Sequence, residues 1–244
     1  MVYASRKLKT SRIKIRAQGE ETRMVITIDG PAGAGKSTVS RELAKKLSFF
    51  YLDTGALYRA LAYRLRALGV SHKNHEEQVK VLSLVRVELF TQDQALRVRV
   101  DGEEIEDKIR TEEIGALASQ ISMIREVREK LLPVQRSAAK LGNIVAEGRD
   151  MGTVVFPDAE FKFFLEASLE VRAMRRYREL LSTGEKKVEL ETIRKSIVGR
   201  DEQDMARSIA PLKPHPDAVI IDTSDMSVQE IVERIVKWVR ERQS

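Results

Sequence analysis

Residues 30–37 carry glycine, lysine and serine at the spacing of a loop that binds nucleotide phosphates. They read Gly-Pro-Ala-Gly-Ala-Gly-Lys-Ser. Glycines let such a loop curl until successive backbone N–H groups face a bound phosphate. In this pattern Lys36 contacts the β- and γ-phosphates, while the hydroxyl of Ser37 coordinates Mg²⁺. The residues predicted to bind the triphosphate are Gly30, Pro31, Ala32, Gly33, Ala34, Gly35, Lys36, Ser37 and Thr38.

The segments on either side of this loop are those that the motif requires. The apolar run 24–28 predicts a buried strand before the loop. Val39, Leu43 and Leu47 recur on one face of a helix after it, and that helix adds the positive end of its dipole to the phosphate site. A glycine-rich turn that matched the motif by chance would not need both neighbours.

Two more predicted strands end in polar residues. The run 49–52 leads into Asp53 and Thr54, and the run 143–147 leads into Arg149 and Asp150. Carboxyl ends of parallel strands lie at one edge of a sheet, where ligands bind in open α/β folds. These residues and the phosphate loop are therefore expected to converge on one cleft.

Arginines follow several of these segments, and arginine binds phosphate through paired hydrogen bonds. Arg59 and Arg149 are two examples, and Arg200, Asp204 and Arg207 share one face of a predicted helix. A solvated, salt-bridged helix is the ordinary reading of that trio. A second basic group surrounds a polar turn at 182–184, which fits either a mobile lid or a plain charged surface. It contains Arg172, Arg175, Arg176, Arg178, Lys186 and Lys187.

Short apolar strands alternate with amphipathic helices along the chain, which predicts an α/β fold with a mostly parallel sheet. Further strands are expected at 161–165 and 218–222, and a helix over 56–67. Alternation over 86–106 predicts an antiparallel hairpin inserted in this plan. The last helix is marked by Ser227 and Glu230 at capping-box spacing.

Composition excludes several classes of protein. No apolar run approaches the roughly 18 residues of a spanning helix, and the chain of 244 residues has no cysteine, so no membrane protein, disulfide or thiolate zinc site is expected. The three histidines form no cluster. Most of the formal net charge of +6 lies in residues 1–23, which hold seven Lys and Arg against two Glu. This leader resembles a transit peptide, but Met24 abuts the first strand, which favours a start there.

Five segments together resemble the bacterial cytidylate kinases, a family of P-loop nucleoside monophosphate kinases. The resemblance runs from about residue 24 to the C-terminus, and the Gly-Arg-Asp-Met-Gly-Thr-Val-Val-Phe-Pro stretch is its most specific part. The segments are 28–38, 52–59, 109–114, 147–157 and 200–207. One departure is Glu147, which stands where many relatives have aspartate.

The resemblance implies a fold of three parts: a parallel core of about five strands flanked by helices, a monophosphate-binding insert, and a lid. The core would be 24–77, 122–170 and 190–244, the insert about 78–121 and the lid about 171–189. Residues 1–23 would be a basic leader outside the fold. The implied protein is a cytoplasmic monomer of pyrimidine metabolism, with no membrane partner and no nucleic acid bound to its folded body.

The implied reaction transfers phosphate from ATP to CMP or dCMP, with Mg²⁺ as cofactor. Lys36 and the lid arginines Arg172, Arg175 and Arg176 would neutralise charge on the transferred group. Ser37 would hold Mg²⁺, with Glu147 acting through water. The CMP-binding residues implied by the resemblance are Thr54, Tyr58, Arg59, Ser119, Arg128, Arg149, Asp150, Arg200, Asp204 and Arg207.

Two other readings of the sequence stay open. A P-loop kinase for another small acceptor, such as UMP, AMP or shikimate, would share the phosphate loop and the arginines. A nucleic-acid-binding P-loop ATPase would account for the basic leader, although the rest of the chain lacks a basic, aromatic-rich binding face.

Overall fold

The computed structural model describes residues 23–71, 74–182 and 189–242. Residues 1–22 of the leader lie outside the described residues, as do residues 183 and 184 of the predicted polar turn and the nearby Lys186 and Lys187. The strands are β1 Val25–Asp29, β2 Phe50–Asp53, β3 Val87–Gln92, β4 Ala95–Val100, β5 Glu103–Glu104, β6 Ile144–Glu147, β7 Phe161–Glu166 and β8 Val219–Asp222. The helices are α1 Lys36–Leu47, α2 Thr54–Ala67, α3 His75–Leu84, α4 Glu112–Ile121, α5 Arg125–Ser137, α6 Leu169–Ser182, α7 Leu190–Met205 and α8 Val228–Arg240.

Eight strands form one sheet in the described residues, in the order β3-β4-β2-β6-β1-β7-β8, with β5 paired to β4. The five strands from β2 to β8 in that order are parallel, which confirms the predicted α/β core. All five residues of β1 are buried. Helices cover both faces of such a strand, so apolar residues can point to either face, as Val25, Ile26 and Ile28 do.

The predicted hairpin is present as β3 and β4, which pair antiparallel. It joins the central sheet, because β4 also pairs parallel with β2 through Tyr51 opposite Ala95 and Leu52 opposite Leu96. This pairing extends the sheet from the expected five strands to eight. It also covers an edge of β2 that would otherwise expose unpaired backbone groups.

Two large apolar clusters hold the helices against the sheet. One packs α1 and α8 on β1, β7 and β8, with Val39, Leu43 and Ile235 fully buried. The other packs α2, α4 and α5 beside the hairpin. The predicted capping box begins α8: the Ser227 hydroxyl accepts from the Glu230 N–H at 3.3 Å, and Glu230 Oε2 accepts from the Ser227 N–H at 2.8 Å.

This packing aligns the carboxyl ends of β1, β2 and β6 at one edge of the sheet. Register pairs Ile28 with Glu147 and Asp53 with Glu147. The three polar strand ends predicted to converge are therefore neighbours.

Candidate active site

The phosphate loop connects the end of β1 to the start of α1. Gly33 and Gly35 have φ of +76° and +88°, the left-handed region that glycine adopts without strain. Lys36 is buried, and its Nζ donates to Pro31 O at 2.7 Å. Burial, with a smaller contribution from the Arg149 guanidinium, lowers the pKa of Lys36 to about 7. A bound polyphosphate would place further negative charge beside Lys36 and would favour its charged, ammonium form.

The carboxylate of Glu147 lies beside the loop. Its Oε2 accepts from Ser37 Oγ at 2.9 Å, and its Oε1 accepts from the hydroxyl of Tyr51. Burial, together with the nearby Asp53 carboxylate, raises the pKa of Glu147. The longer glutamate side chain thus reaches the hydroxyl that the motif assigns to Mg²⁺.

An arginine cluster lies across the cleft from the loop, around the buried carboxylate of Asp204. Arg149 Nε donates to Asp204 Oδ2 at 2.8 Å, and Arg207 donates to Oδ1 of the same carboxylate. Arg59 Nη2 donates to Asp53 Oδ2 at 2.7 Å. Among the described residues, the buried Nε atoms of Arg59 and Arg207 have no hydrogen-bond partner. Arg59, Arg149 and Arg207 all line one cavity, and guanidinium groups on a cavity wall favour an anionic ligand there.

Two further arginines meet one carboxylate from the other side of the cleft. Arg176 on α6 and Arg200 on α7 both pair with Glu112, the first residue of α4, with a distance of 3.1 Å for Arg200. Burial, together with the charge of Arg176, lowers the pKa of Arg200. Glu112 thus connects the segment expected to be the insert with Arg176 in the expected lid and Arg200 in the expected core.

At the far end of the cleft, polar groups of the type that read a base edge are grouped together. Arg128 donates to Asp150 Oδ2, and its guanidinium carbon lies 5.7 Å from the centre of the Tyr58 ring. Burial raises the pKa of Tyr58 to about 12. Ser119 Oγ donates to Gln203 Oε1 at 3.1 Å. A carboxylate, a guanidinium and a hydroxyl can satisfy the donor and acceptors of a cytosine edge.

One cavity of about 1420 Å³ joins these groups. Its walls include most of the residues predicted from the sequence to form the site. These are Ala32, Gly33, Ala34, Gly35, Lys36, Ser37, Thr38, Thr54, Tyr58, Arg59, Ser119, Arg128, Glu147, Arg149, Asp150, Arg175, Arg176, Arg200, Asp204 and Arg207. Met226, Val228 and Ile231 add an apolar wall.

Three predicted residues lie outside the walls of this cavity: Gly30, Pro31 and Arg172. Gly30 packs so closely on β7 that a Cβ there would lie 2.1 Å from Leu165 O. The prediction that Arg172 neutralises charge on the transferred phosphate does not fit its position. Its guanidinium is already bound to Ala32 O, Ala167 O and Asp201 behind the loop.

Other residues that shape the site were not found from the sequence. Tyr51 lies in an apolar strand run, and Gln203 and Asp201 lie among other polar residues of α7, so nothing in the pattern sets them apart. Asp29 ends β1. Its two carboxylate oxygens accept from the N–H groups of Met151 and Gly152 at 2.9 and 2.8 Å.

Within the described ranges, no group of three or more His, Cys, Asp or Glu side chains could hold a metal ion by itself. Ser37 and Glu147 instead offer one hydroxyl and one carboxylate next to the phosphate loop. Mg²⁺ in nucleotide sites retains waters and takes most other ligands from phosphate, so this pair fits it. None of the described helices is long and apolar enough to cross a membrane.

Comparison with known proteins gives consistent matches. The family model described as cytidylate kinase matches residues 26–241. A cytidylate kinase from Thermotoga maritima is 47% identical over 89% of this chain and 97% of its own length. One from Dichelobacter nodosus is 46% identical over 87% of this chain and 95% of its own. A solved shikimate kinase from Acinetobacter baumannii covers 91% of this chain and 96% of its own at 16% identity and a TM-score of 0.43, too low to bear on the acceptor.

Proposed function

The chain belongs to the cytidylate kinase family, and from that membership we propose that it transfers the γ-phosphate of ATP to CMP and dCMP. The products are ADP with CDP or dCDP. An oxygen of the acceptor phosphate attacks the γ-phosphorus, and the bond to the β–γ bridging oxygen breaks. A phosphate monoester is mostly dianionic at neutral pH, since its second pKa is about 6. The attacking oxygen therefore needs no protein base.

The observation that carries this proposal is that Lys36 and the arginine cluster face one cavity. The loop N–H groups and Lys36 would hold the β- and γ-phosphates of ATP. Arg59, Arg149 and Arg207 would hold the acceptor phosphate, and their common position on the cavity wall supports that role. Two anionic groups held in line between fixed cations is the arrangement that phosphoryl transfer needs.

The remaining acceptor contacts follow from the position of each group in the cavity. We assign Tyr58, Arg200 and Asp204 to the ribose side, and Ser119, Arg128 and Asp150 to the edge of cytosine. Thr54 lines the same cavity as Arg59 and donates to Glu147 O at 2.6 Å, so we assign it to the acceptor phosphate.

On the donor side, Arg175 and Arg176 are the lid arginines that face the cavity. Arg175 Nη2 donates to Thr223 O at 2.6 Å beside the apolar wall, which favours contact with the nucleoside part of ATP. Arg176 pairs with Glu112 and Arg200 lies beside it, nearer the acceptor groups. Arg176 is therefore our candidate for neutralising the transferred phosphate, and Glu112 would have to release it.

Mg²⁺ would be held by Ser37 directly and by Glu147 through water, and when bound it would neutralise the β- and γ-phosphate oxygens. Tyr51 orients Glu147 by its hydrogen bond to the other carboxylate oxygen. Closure of the segments around the cavity would exclude water, which otherwise competes as acceptor. We further propose a cytoplasmic monomer of pyrimidine nucleotide metabolism, and the lack of cysteine in the sequence suits a reducing compartment.

The test is a phosphate-transfer assay with ATP and a panel of acceptors: CMP, dCMP, UMP, AMP and shikimate. We expect CMP and dCMP to give the highest kcat/KM, with diphosphate product identified by chromatography. A Lys36→Ala variant should lose about 100-fold or more in kcat while CMP binding is retained. Preference for AMP or shikimate, or ATP hydrolysis without transfer to any of the five, would overturn the proposal.

A further inference from the structure

Both backbone polar groups of Ala32 in the phosphate loop are bound by side chains from distant helices. Its N–H donates to Asp201 Oδ1 on α7 at 3.0 Å, and its carbonyl accepts from Arg172 Nη1 on α6 at 3.0 Å. Arg172 and Asp201 also pair with each other, and their side chains are only 11% and 8% exposed. We propose that this pair positions the phosphate loop for the donor nucleotide.

The loop needs such support because few hydrogen bonds between its own backbone groups hold its shape. Within 30–35, the described backbone bond is a long one of 3.4 Å from the Ala34 N–H to Pro31 O. All three of its glycines have positive φ, and glycine restricts the backbone less than any other residue. A loop whose N–H groups must face a polyphosphate therefore takes its orientation from side chains elsewhere in the chain.

Helix α6 is packed directly against this loop. A Cβ added to Gly33 would lie 3.0 Å from Arg172 Cβ and 3.1 Å from Arg172 O. Arg172 Nε donates to Ala167 O at 3.1 Å, which fixes the guanidinium from its other side. Arg172 Nε and Nη1 are thus bound behind the loop, and Arg172 does not line the cavity, so its contacts are those of a positioning residue.

Asp201 connects the loop to the acceptor side of the site. It follows Arg200 and precedes Asp204 by three residues on α7, and both of those residues line the cavity. One helix thus contacts the donor loop with one side chain and presents acceptor-binding side chains with the others. The position of α7 relative to the loop sets the distance between the two phosphates that must react.

The ion pair of Arg172 and Asp201 does more than stabilise the fold, because both side chains also bind the backbone of Ala32. Breaking a buried ion pair by removing one partner generally destabilises a protein wherever it lies. Here the loss also releases the Ala32 peptide, so ATP binding and kcat should fall more than CMP binding. A larger loss of ATP binding than of CMP binding distinguishes a positioning pair from a purely structural one. The inference rests on the proposed function only for the choice of CMP as acceptor.

The experiment compares Asp201→Asn and Arg172→Lys with wild type. The asparagine retains an acceptor for the Ala32 N–H but loses the charge that pairs with Arg172. Lysine retains the charge but not the several donors of the guanidinium. We expect kcat/KM for ATP to fall about tenfold or more in each, the size of one charge-assisted hydrogen bond, and ADP affinity by calorimetry to fall similarly. CMP affinity should change less than about twofold.

The matched control is Glu106→Gln, which removes a carboxylate from its pair with Arg97 outside the cavity. It should leave kcat and ADP affinity unchanged. A double variant, Arg172→Lys with Asp201→Asn, should lose less than the sum of its single variants, because either single change already breaks the ion pair that holds the loop. Thermal unfolding of every variant identifies those that are folded at the assay temperature.

Equal losses of ADP and CMP affinity in folded variants would overturn the inference, as would a lower unfolding temperature with unchanged ADP affinity and kcat. ADP binding does not depend on the acceptor. If wild type binds ADP but does not phosphorylate CMP, the proposed function fails while the positioning inference is still decided by the calorimetry.

Discussion

The hydroxyl of Ser37 donates a 2.9 Å hydrogen bond to Oε2 of Glu147, which joins the first turn of α1 to the last residue of β6. The other carboxylate oxygen is bound by Tyr51, whose ring lies 5.4 Å from the Arg41 guanidinium carbon. Both oxygens therefore have fixed directions before any ligand binds. Glu147 thus accepts one hydroxyl donor at each carboxylate oxygen.

The first prediction concerns this carboxylate. Glu147→Gln keeps the size of the side chain but removes the charge that orients water on Mg²⁺. We expect kcat to fall about 10- to 100-fold, the usual cost of losing an outer-sphere partner, with a higher Mg²⁺ concentration for half-maximal rate. A second measurement avoids activity altogether: Mg²⁺ should raise the unfolding temperature of the ADP complex less in the variant. The same Mg²⁺ dependence in both proteins would contradict the assignment.

The second prediction concerns the acceptor phosphate. Arg207→Ala removes a guanidinium that binds Asp204 and donates to Ser122 Oγ at 2.7 Å. We expect KM for CMP to rise about 10- to 100-fold, because hydrogen bonds to charged groups contribute about 1.5–3 kcal/mol. KM for CMP in Arg207→Lys should lie between the values for wild type and Arg207→Ala, since lysine retains the charge without the paired donors. Steady-state kinetics with each substrate varied in turn should show KM for ATP within about twofold of wild type.

The sequence predicts what a residue does in this site only where that role depends on residues close to it in the chain. The phosphate loop and the strand ends could be located because their chemistry depends on short spacings within one segment. The contact between Arg172 and Ala32 could not, since it depends on how α6 packs against a loop about 140 residues earlier in the chain. Arg172 and Arg175 look alike in the sequence, yet the structure places only Arg175 at the cavity.

The hairpin illustrates the same limit in the fold. Alternating residues predicted β3 and β4, which the structure confirms. The pairing of β4 with β2 depends on an edge that becomes available only after the parallel core forms. Nothing in residues 95–100 specifies that partner.

The third prediction concerns the choice of base. Cytosine presents an N4 donor where uracil presents an O4 acceptor. Asp150 can accept from that donor, whereas asparagine can also donate to the oxygen. In Asp150→Asn the ratio of kcat/KM for CMP to that for UMP should therefore fall by about tenfold or more. Glu106→Gln should leave the ratio unchanged, and an unaltered ratio in a folded Asp150→Asn protein would remove Asp150 from the cytosine edge.

The fourth prediction concerns Asp29, which connects the start of the phosphate loop to the short π-helix Met151–Val155. Burial raises the pKa of Asp29 to about 6, and the Asp150 carboxylate adds to this, while the N–H groups of Gly152 and Met151 and the charge of Lys36 oppose it. The folded protein therefore holds this proton more tightly than the unfolded chain. Its contribution to the free energy of unfolding is largest below about pH 4 and is lost as pH rises through 6 to about 7, a total change of about 3 kcal/mol.

Asp29→Asn should remove that pH dependence. The amide loses one of the two acceptors for the Met151 and Gly152 N–H groups, which costs stability equally at every pH. The difference in unfolding free energy between wild type and Asp29→Asn should therefore shrink from pH 4.5 to pH 7, as measured by urea unfolding. Asp158→Asn, at an exposed carboxylate, should keep the wild-type slope. Parallel curves for wild type and Asp29→Asn would mean that Asp29 does not hold a proton in this range, and that its two N–H contacts act on a carboxylate charged throughout.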